Sequence, residues 1–166
     1  MKYFYYFAYG SNLLKERIRV QNKGAEYVCN GTLNGFKLAF VHESQRWKGG
    51  LATILGDEKE QVCGCVWKVP LEYSPELDKQ ECGYHRLTVP VQCAESVIEC
   101  RTYQFSDLDA ELKKPSPHYK TVILAGAVEH GLPEPYIKKL YGIDDNGFRG
   151  VVEVDLDVIR TLNVQK

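Results

Sequence analysis

Short apolar runs, broken by polar punctuation, fill the first two thirds of the chain and predict a series of strands. Seven segments read this way: residues 2–9, 25–33, 36–43, 50–55, 61–69, 84–92 and 97–105. Each is rich in β-branched or aromatic side chains and bounded by Gly, Asn, Asp or Pro. Asn34-Gly35 and Gly56-Asp57 separate them at hairpin-like distances, so both are expected as turns. Helical spacing is rarer. Leu14 and Ile18 fall four apart, predicting a helix from Leu13 to Gln21. Ser74 reads as the N-cap of a short helix with Pro75 at its first position. Residues 117–130 are apolar nearly all round and predict a buried helix, closed by Gly131. Pro135 opens another short helix that runs through Leu140, and beyond about residue 143 the acidic sequence reads as loop. Many strands with segregated helices predict one α+β domain over residues 1–166, with a curled or barrel-like, antiparallel-rich sheet.

Composition narrows the partners. With 44% hydrophobic and 26% charged residues the chain is expected to fold rather than stay disordered. A net charge of −1, spread evenly, offers no basic stripe for nucleic acid and no polybasic segment for a membrane surface. No apolar stretch is long enough to span a bilayer, and the aromatic run from Tyr3 to Tyr9 lacks the marks of a signal peptide. A cytoplasmic protein with a small-molecule or protein partner is the expectation. The six cysteines lie in strand-like segments, no CxxC occurs and the four histidines are scattered. Reduced, mostly buried thiols are therefore expected rather than disulfides or a metal site.

Four places carry candidate chemistry. In Tyr9-Gly10-Ser11-Asn12-Leu13 a strand passes through glycine into a helix. Free N–H groups there would welcome a carboxylate or an oxyanion, although on spacing alone an ordinary N-cap at Ser11 or Asn12 is the commoner explanation. Glu81 lies four residues after Leu77, so if Leu77 packs inward Glu81 follows it, at a helix end where burial and the dipole both raise its pKa. A solvated charge in the polar run Asp78, Lys79, Glu81 is nevertheless the commoner explanation of such a residue taken alone. Its neighbour Asp78 faces elsewhere. The Gly49-Gly50 pair opens an apolar strand and lets backbone approach a ligand or another chain closely, although a plain bulge or turn explains it almost as well. Tyr119, set by Pro115-Ser116-Pro117, can offer its hydroxyl to a pocket or simply pack. Cys82 follows Glu81, but the negative end of a helix keeps a thiol protonated, which favours a bystander over a nucleophile.

Together and in this order, these blocks resemble the γ-glutamylcyclotransferase family. The resemblance rests on Tyr6-Phe7-Ala8-Tyr9-Gly10-Ser11-Asn12-Leu13, Gly49-Gly50-Leu51-Ala52-Thr53-Ile54 and Gly64-Cys65-Val66-Trp67. It continues through Leu77-Asp78-Lys79-Gln80-Glu81, Cys100-Arg101-Thr102-Tyr103, Pro115 to Lys120 and Gly126 to Pro133. It implies a small mixed barrel flanked by helices with the pocket at one mouth, and a cofactor-free enzyme. It further implies that Tyr9, Gly10, Ser11, Asn12 and Leu13 hold a γ-glutamyl group. Gly50 and Tyr119 are expected in the same substrate site, with Glu81 as acid/base. Two departures stand out: Cys82 replaces the family's usual glycine, and the connection Gly83-Tyr84-His85 is short. A γ-glutamylamine-specific relative and a silent binding protein on the same scaffold are the alternatives. A homodimer is one expectation for assembly.

Overall fold

The computed structural model describes residues 2–164. Five strands close into a barrel: β1 (Tyr3–Ala8), β2 (Glu26–Ser44), β3 (Gly49–Pro70), β4 (Tyr84–Gln92) and β5 (Val97–Phe105), in the order β1-β3-β2-β4-β5. Neighbours are antiparallel except β1 and β5, which meet in parallel at Tyr6 and Arg101 and shut the barrel. Around it lie α1 (Lys15–Ile18), α2 (Ser74–Gln80), α3 (Pro117–Glu129), α4 (Glu134–Tyr141) and α5 (Asp157–Val164). The expected α+β class with a helix-flanked mixed barrel is the fold adopted.

Seven expected strands become five because two turn signals are irregularities inside longer strands. Gly35 has φ +85°, a left-handed conformation that lets β2 kink without ending. Phe36 faces Gly56 and Asn34 faces Gln61, so residues 57–60 swell out of β3 opposite Gly35. The turn that does join β2 to β3 is residues 45–48, where the Trp47 and Lys48 N–H groups donate to Ser44. No glycine or Asn-Gly lies within it, and Gly49-Gly50 follows it directly.

The helix expected over Leu13 to Gln21 is shorter. A 3₁₀ turn spans Ser11–Leu13, Leu14 is extended at φ −76° and ψ 123°, and α1 follows as a single turn. Leu14 and Ile18 are buried all the same, so their spacing reported packing rather than helix length. Gly10, not Ser11 or Asn12, occupies the cap position of that turn. Ser74 likewise does not cap α2, whose cap position is Tyr73. Its hydroxyl accepts from Arg101 at 2.7 Å and Arg86 at 3.3 Å instead. The loop expected after residue 143 contains α5, whose Ile159 is fully buried with Leu156 and Val152. Acidic residues just before it and at its start, Glu153, Asp155 and Asp157, disguised that short apolar stripe.

Helix α3 presses directly on the 3₁₀ turn. Ser116 caps it, accepting from the Tyr119 N–H at 3.1 Å, and Pro117 starts it. A Cβ on Gly126 would lie 2.5 Å from the Leu13 Cβ and 2.7 Å from the Leu14 N. Overpacking against backbone costs about 1–3 kcal/mol. Gly126→Ala should therefore lower Tm by roughly 2–10 °C, despite its better helix propensity. A thermal unfolding curve superimposable on wild type would mean that this contact is not made.

Candidate active site

The site occupies a gap in the barrel wall. Strand β1 pairs with β3 only over Cys65 to Pro70, whereas β2 runs along β3 as far as Gly49. Over Gly49 to Ile54 the second edge of β3 is served by other groups. The Gly50 N–H donates to the Lys114 carbonyl at 2.9 Å, and the Ala52 N–H donates to the Tyr119 hydroxyl at 3.0 Å. The Tyr84 hydroxyl donates to the Ala52 carbonyl at 2.6 Å, and the Gln104 amide donates to the Ile54 carbonyl at 3.0 Å. Inside this edge is a solvent-open cavity of about 100 Å³, walled by Tyr6, Tyr9, Tyr84, Tyr103, Tyr119 and Trp47, with Glu81 and Arg17 set among them. Burial holds the Tyr6, Tyr9, Tyr84 and Tyr119 hydroxyls well above the ordinary tyrosine range. They are neutral donors and acceptors there.

Glu81 reaches the cavity as the sequence implied. Leu77 is fully buried, the Glu81 N–H closes the last turn of α2 on the Leu77 carbonyl at 3.0 Å, and the side chain follows Leu77 inward. Its edge stays within reach of solvent because the cavity is open. Loss of hydration pushes its pKa up to about 7, while the charge of Arg17 and the Tyr6 hydroxyl pull it partly back. Tyr6 accepts a hydrogen bond from the Asn12 amide at 3.1 Å, which leaves its own proton to point at Glu81. Asp78, one turn earlier on α2, has the opposite fate. It pairs with Arg86 and accepts from the Tyr103 hydroxyl at 2.6 Å, and Arg86 holds its carboxyl below the usual range. Two neighbouring carboxyls with pKa values driven apart is a pattern associated with acid/base sites.

The other expected residues divide. Tyr9, Gly10, Ser11, Asn12 and Tyr119 line the cavity; Leu13 and Gly50 do not. Leu13 is fully buried in the core and its N–H is engaged by the Gly10 carbonyl at 3.1 Å. Of the loop amides, that leaves Ser11 and Asn12, at the start of the 3₁₀ turn, for a ligand. Gly50 is needed for another close approach: a Cβ there would lie 2.5 Å from the Lys113 carbonyl, behind the cavity wall. Tyr119 is buried, and because its oxygen already accepts from Ala52 its proton is free for the cavity. Tyr9 spends its proton on the Tyr103 carbonyl at 2.6 Å. Cys82 is exposed at the rim, and His85 is engaged by Gln104 and Ser106.

Arg17, Trp47, Gln80 and Tyr84 belong to the lining without having been singled out from sequence. Arg17 could have been found: on the helix expected over Leu13 to Gln21 it lies four residues after Leu13 and three after Leu14, on the apolar side. It is buried even though Leu13 and Leu14 precede α1. Trp47 and Tyr84 enter from a turn and a strand end that carry no such spacing.

Comparison with known proteins agrees with this architecture. The model of the AIG2-like family matches residues 61–140, which contain Glu81 and Tyr119. A bovine γ-glutamylcyclotransferase is 41% identical over 94% of this chain and 87% of its own length, and a human one is 38% identical over the same shares. The chain belongs to the γ-glutamylcyclotransferase family. A solved γ-glutamyl cyclotransferase superposes with a TM-score of 0.89 at 38% identity, covering 99% of this chain and 100% of that one. A γ-glutamylcyclotransferase is an enzyme, a cyclotransferase, and this fold is shared along the whole barrel. Among the described residues no helix is long and apolar enough to cross a membrane.

The raised carboxyl has a thermodynamic signature. Between its ordinary value of 4.5 and its folded value of about 7, the native state keeps a proton that the unfolded chain has released. Stability from this group is therefore full below the lower value and is lost as pH rises through the upper one. Glu81→Gln cannot ionise. Relative to wild type, it should gain about 1–3 kcal/mol between about pH 4 and pH 8 in denaturant unfolding. A difference that stays constant over that range would place the carboxyl in water.

Proposed function

We propose that this enzyme converts γ-glutamyl amino acids to 5-oxoproline and the free amino acid, with Glu81 moving the protons. The observation that carries the reading is a carboxyl with its pKa at about 7 in a cavity whose lining holds no histidine to activate Ser11 or Cys82. The nucleophile then comes from the substrate. Its α-amine attacks its own γ-amide carbonyl, a five-membered lactam closes, and the bond to the leaving amine breaks. Nucleophile and electrophile share one molecule, so the enzyme's main task is to hold the folded conformer. Ionised Glu81 takes a proton from the attacking amine and returns it to the departing one, ending the cycle as it began. A pKa near neutrality keeps both transfers close to balanced. The Ser11 and Asn12 amides and the Tyr119 hydroxyl support this reading as donors to the glutamyl group or to the oxyanion.

Incubation with γ-glutamyl-alanine should give 5-oxoproline and alanine in equal amounts, without free glutamate. Glu81→Gln should fold and yet turn over about 10²-fold more slowly or worse. Glutamate as the main product, or near-normal turnover by the variant, would reject the mechanism. Tyr119→Phe removes a donor used alike in ground and transition states, so steady-state kinetics should show KM rising more than kcat falls. An unchanged KM would reduce Tyr119 to packing.

A further inference from the structure

The cavity continues past Glu81 and Cys82 into an outer vestibule. Arg17, Trp47, Leu51, Gln80 and Cys82 line both compartments, so the two are continuous. The vestibule has none of the Tyr9 to Asn12 loop and no Tyr119. Its charged lining is Arg17, Arg46 and Lys79 against Glu76. The cations outnumber the acids.

Arg17 is the unusual member. Its relative exposure is 7%, and its Nε has no hydrogen-bond partner. Among the described residues it belongs to no ion pair within bonding distance. Its guanidinium sits 5.8 Å from the centre of the Trp47 ring, which contributes some cation–π attraction but accepts no hydrogen bond. Burial and the like charge of Arg46 both disfavour its cation, with burial the larger. Buried guanidinium groups are ordinarily matched by an anion, since an unpaired one costs several kcal/mol. Glu81 lies close enough to be felt but does not bond it. The missing partner is an anion that arrives with the ligand.

We infer that Arg17 and Arg46 form a leaving-group subsite that holds the carboxylate of the amino acid released. The inference rests on the γ-glutamyl reading of the inner cavity. With the glutamyl group seated beside Glu81, the amide bond points its far side out through the vestibule. The carboxylate on the Cα next to the scissile nitrogen meets a guanidinium fork from α1 and a second cation from the turn between β2 and β3. Charge-assisted hydrogen bonds of this kind discriminate strongly against a neutral amide in the same place.

Two unreactive probes separate the subsite from the chemistry. Glutaryl-alanine and glutaryl-alaninamide both lack the α-amine and keep the glutaryl carboxylate; they differ only in the leaving group's carboxylate. Calorimetry on the wild type should show the first binding about tenfold or more tighter. Arg46→Met should shrink that ratio at least about threefold, and Arg17→Met should bring it close to one. Arg46 is exposed, so its variant reports even if Arg17→Met fails to fold. Arg17→Lys, which keeps the charge without the fork, should restore part of the ratio. Equal binding of the probes, no binding of either, or a ratio preserved in Arg46→Met overturns the subsite. So does equal weakening of both probes, which would place the glutaryl carboxylate on these arginines. Release of 5-oxoproline from γ-glutamyl-alanine by the same preparations judges the other reading: no release with the binding ratio intact rejects cyclisation and leaves the subsite standing.

Discussion

The carboxamide of Asn12 ties together parts of the chain that would otherwise have no reason to meet. Its nitrogen donates to the Tyr6 hydroxyl on β1 at 3.1 Å, its oxygen accepts from Gln80 at the end of α2 at 3.2 Å, and its backbone carbonyl accepts from the fully buried Trp67 of β3 at 2.9 Å. A buried amide costs little only when its donors and acceptors are matched, and matching them fixes all three elements at once. The end of α2 is what carries Glu81, and Tyr6 is what faces it. Asn12 therefore positions the acid without touching it.

Around that frame the polar groups of the cavity sort into spent and free. Tyr9, Tyr84 and Tyr103 each donate to a protein acceptor: a carbonyl for the first two and Asp78 for the third. They stiffen the wall. Tyr6 accepts from Asn12 and turns its proton to Glu81, while Tyr119 accepts from Ala52 and keeps its proton, and the Arg17 Nε has no partner. The free groups converge near Glu81, and the carboxyl's high pKa follows from its dry surroundings more than from any one neighbour.

How far the sequence reached depended on whether a local rule controlled the residue. Leu77 and Glu81 obey helical spacing on α2, so the acid could be placed before the fold was known. Tyr119 is fixed by a rigid, capped helix start. Gly10 to Asn12 form the expected loop, but Leu13 turned its amide back on Gly10 and Gly50 approached Lys113 rather than a ligand. A glycine announces close approach without naming what approaches. Asn34-Gly35 looked like a turn and proved to be a kink, because long-range pairing between β2 and β3 outweighed local turn preference. Arg17 was within reach of the spacing argument. Trp47 and Arg46 were not, since an unmarked turn delivers them.

Backbone groups along the open edge of β3 are bonded by Tyr84, Tyr119, Gln104 and the Lys114 carbonyl in place of a neighbouring strand. An exposed edge with unmet N–H and C=O groups is a template for pairing with another chain, and so a route to aggregation. Here the side chains that furnish the cavity also occupy that template. Trimming them to enlarge the pocket would bare a strand edge, so redesign for bulkier substrates carries a solubility cost that has nothing to do with catalysis.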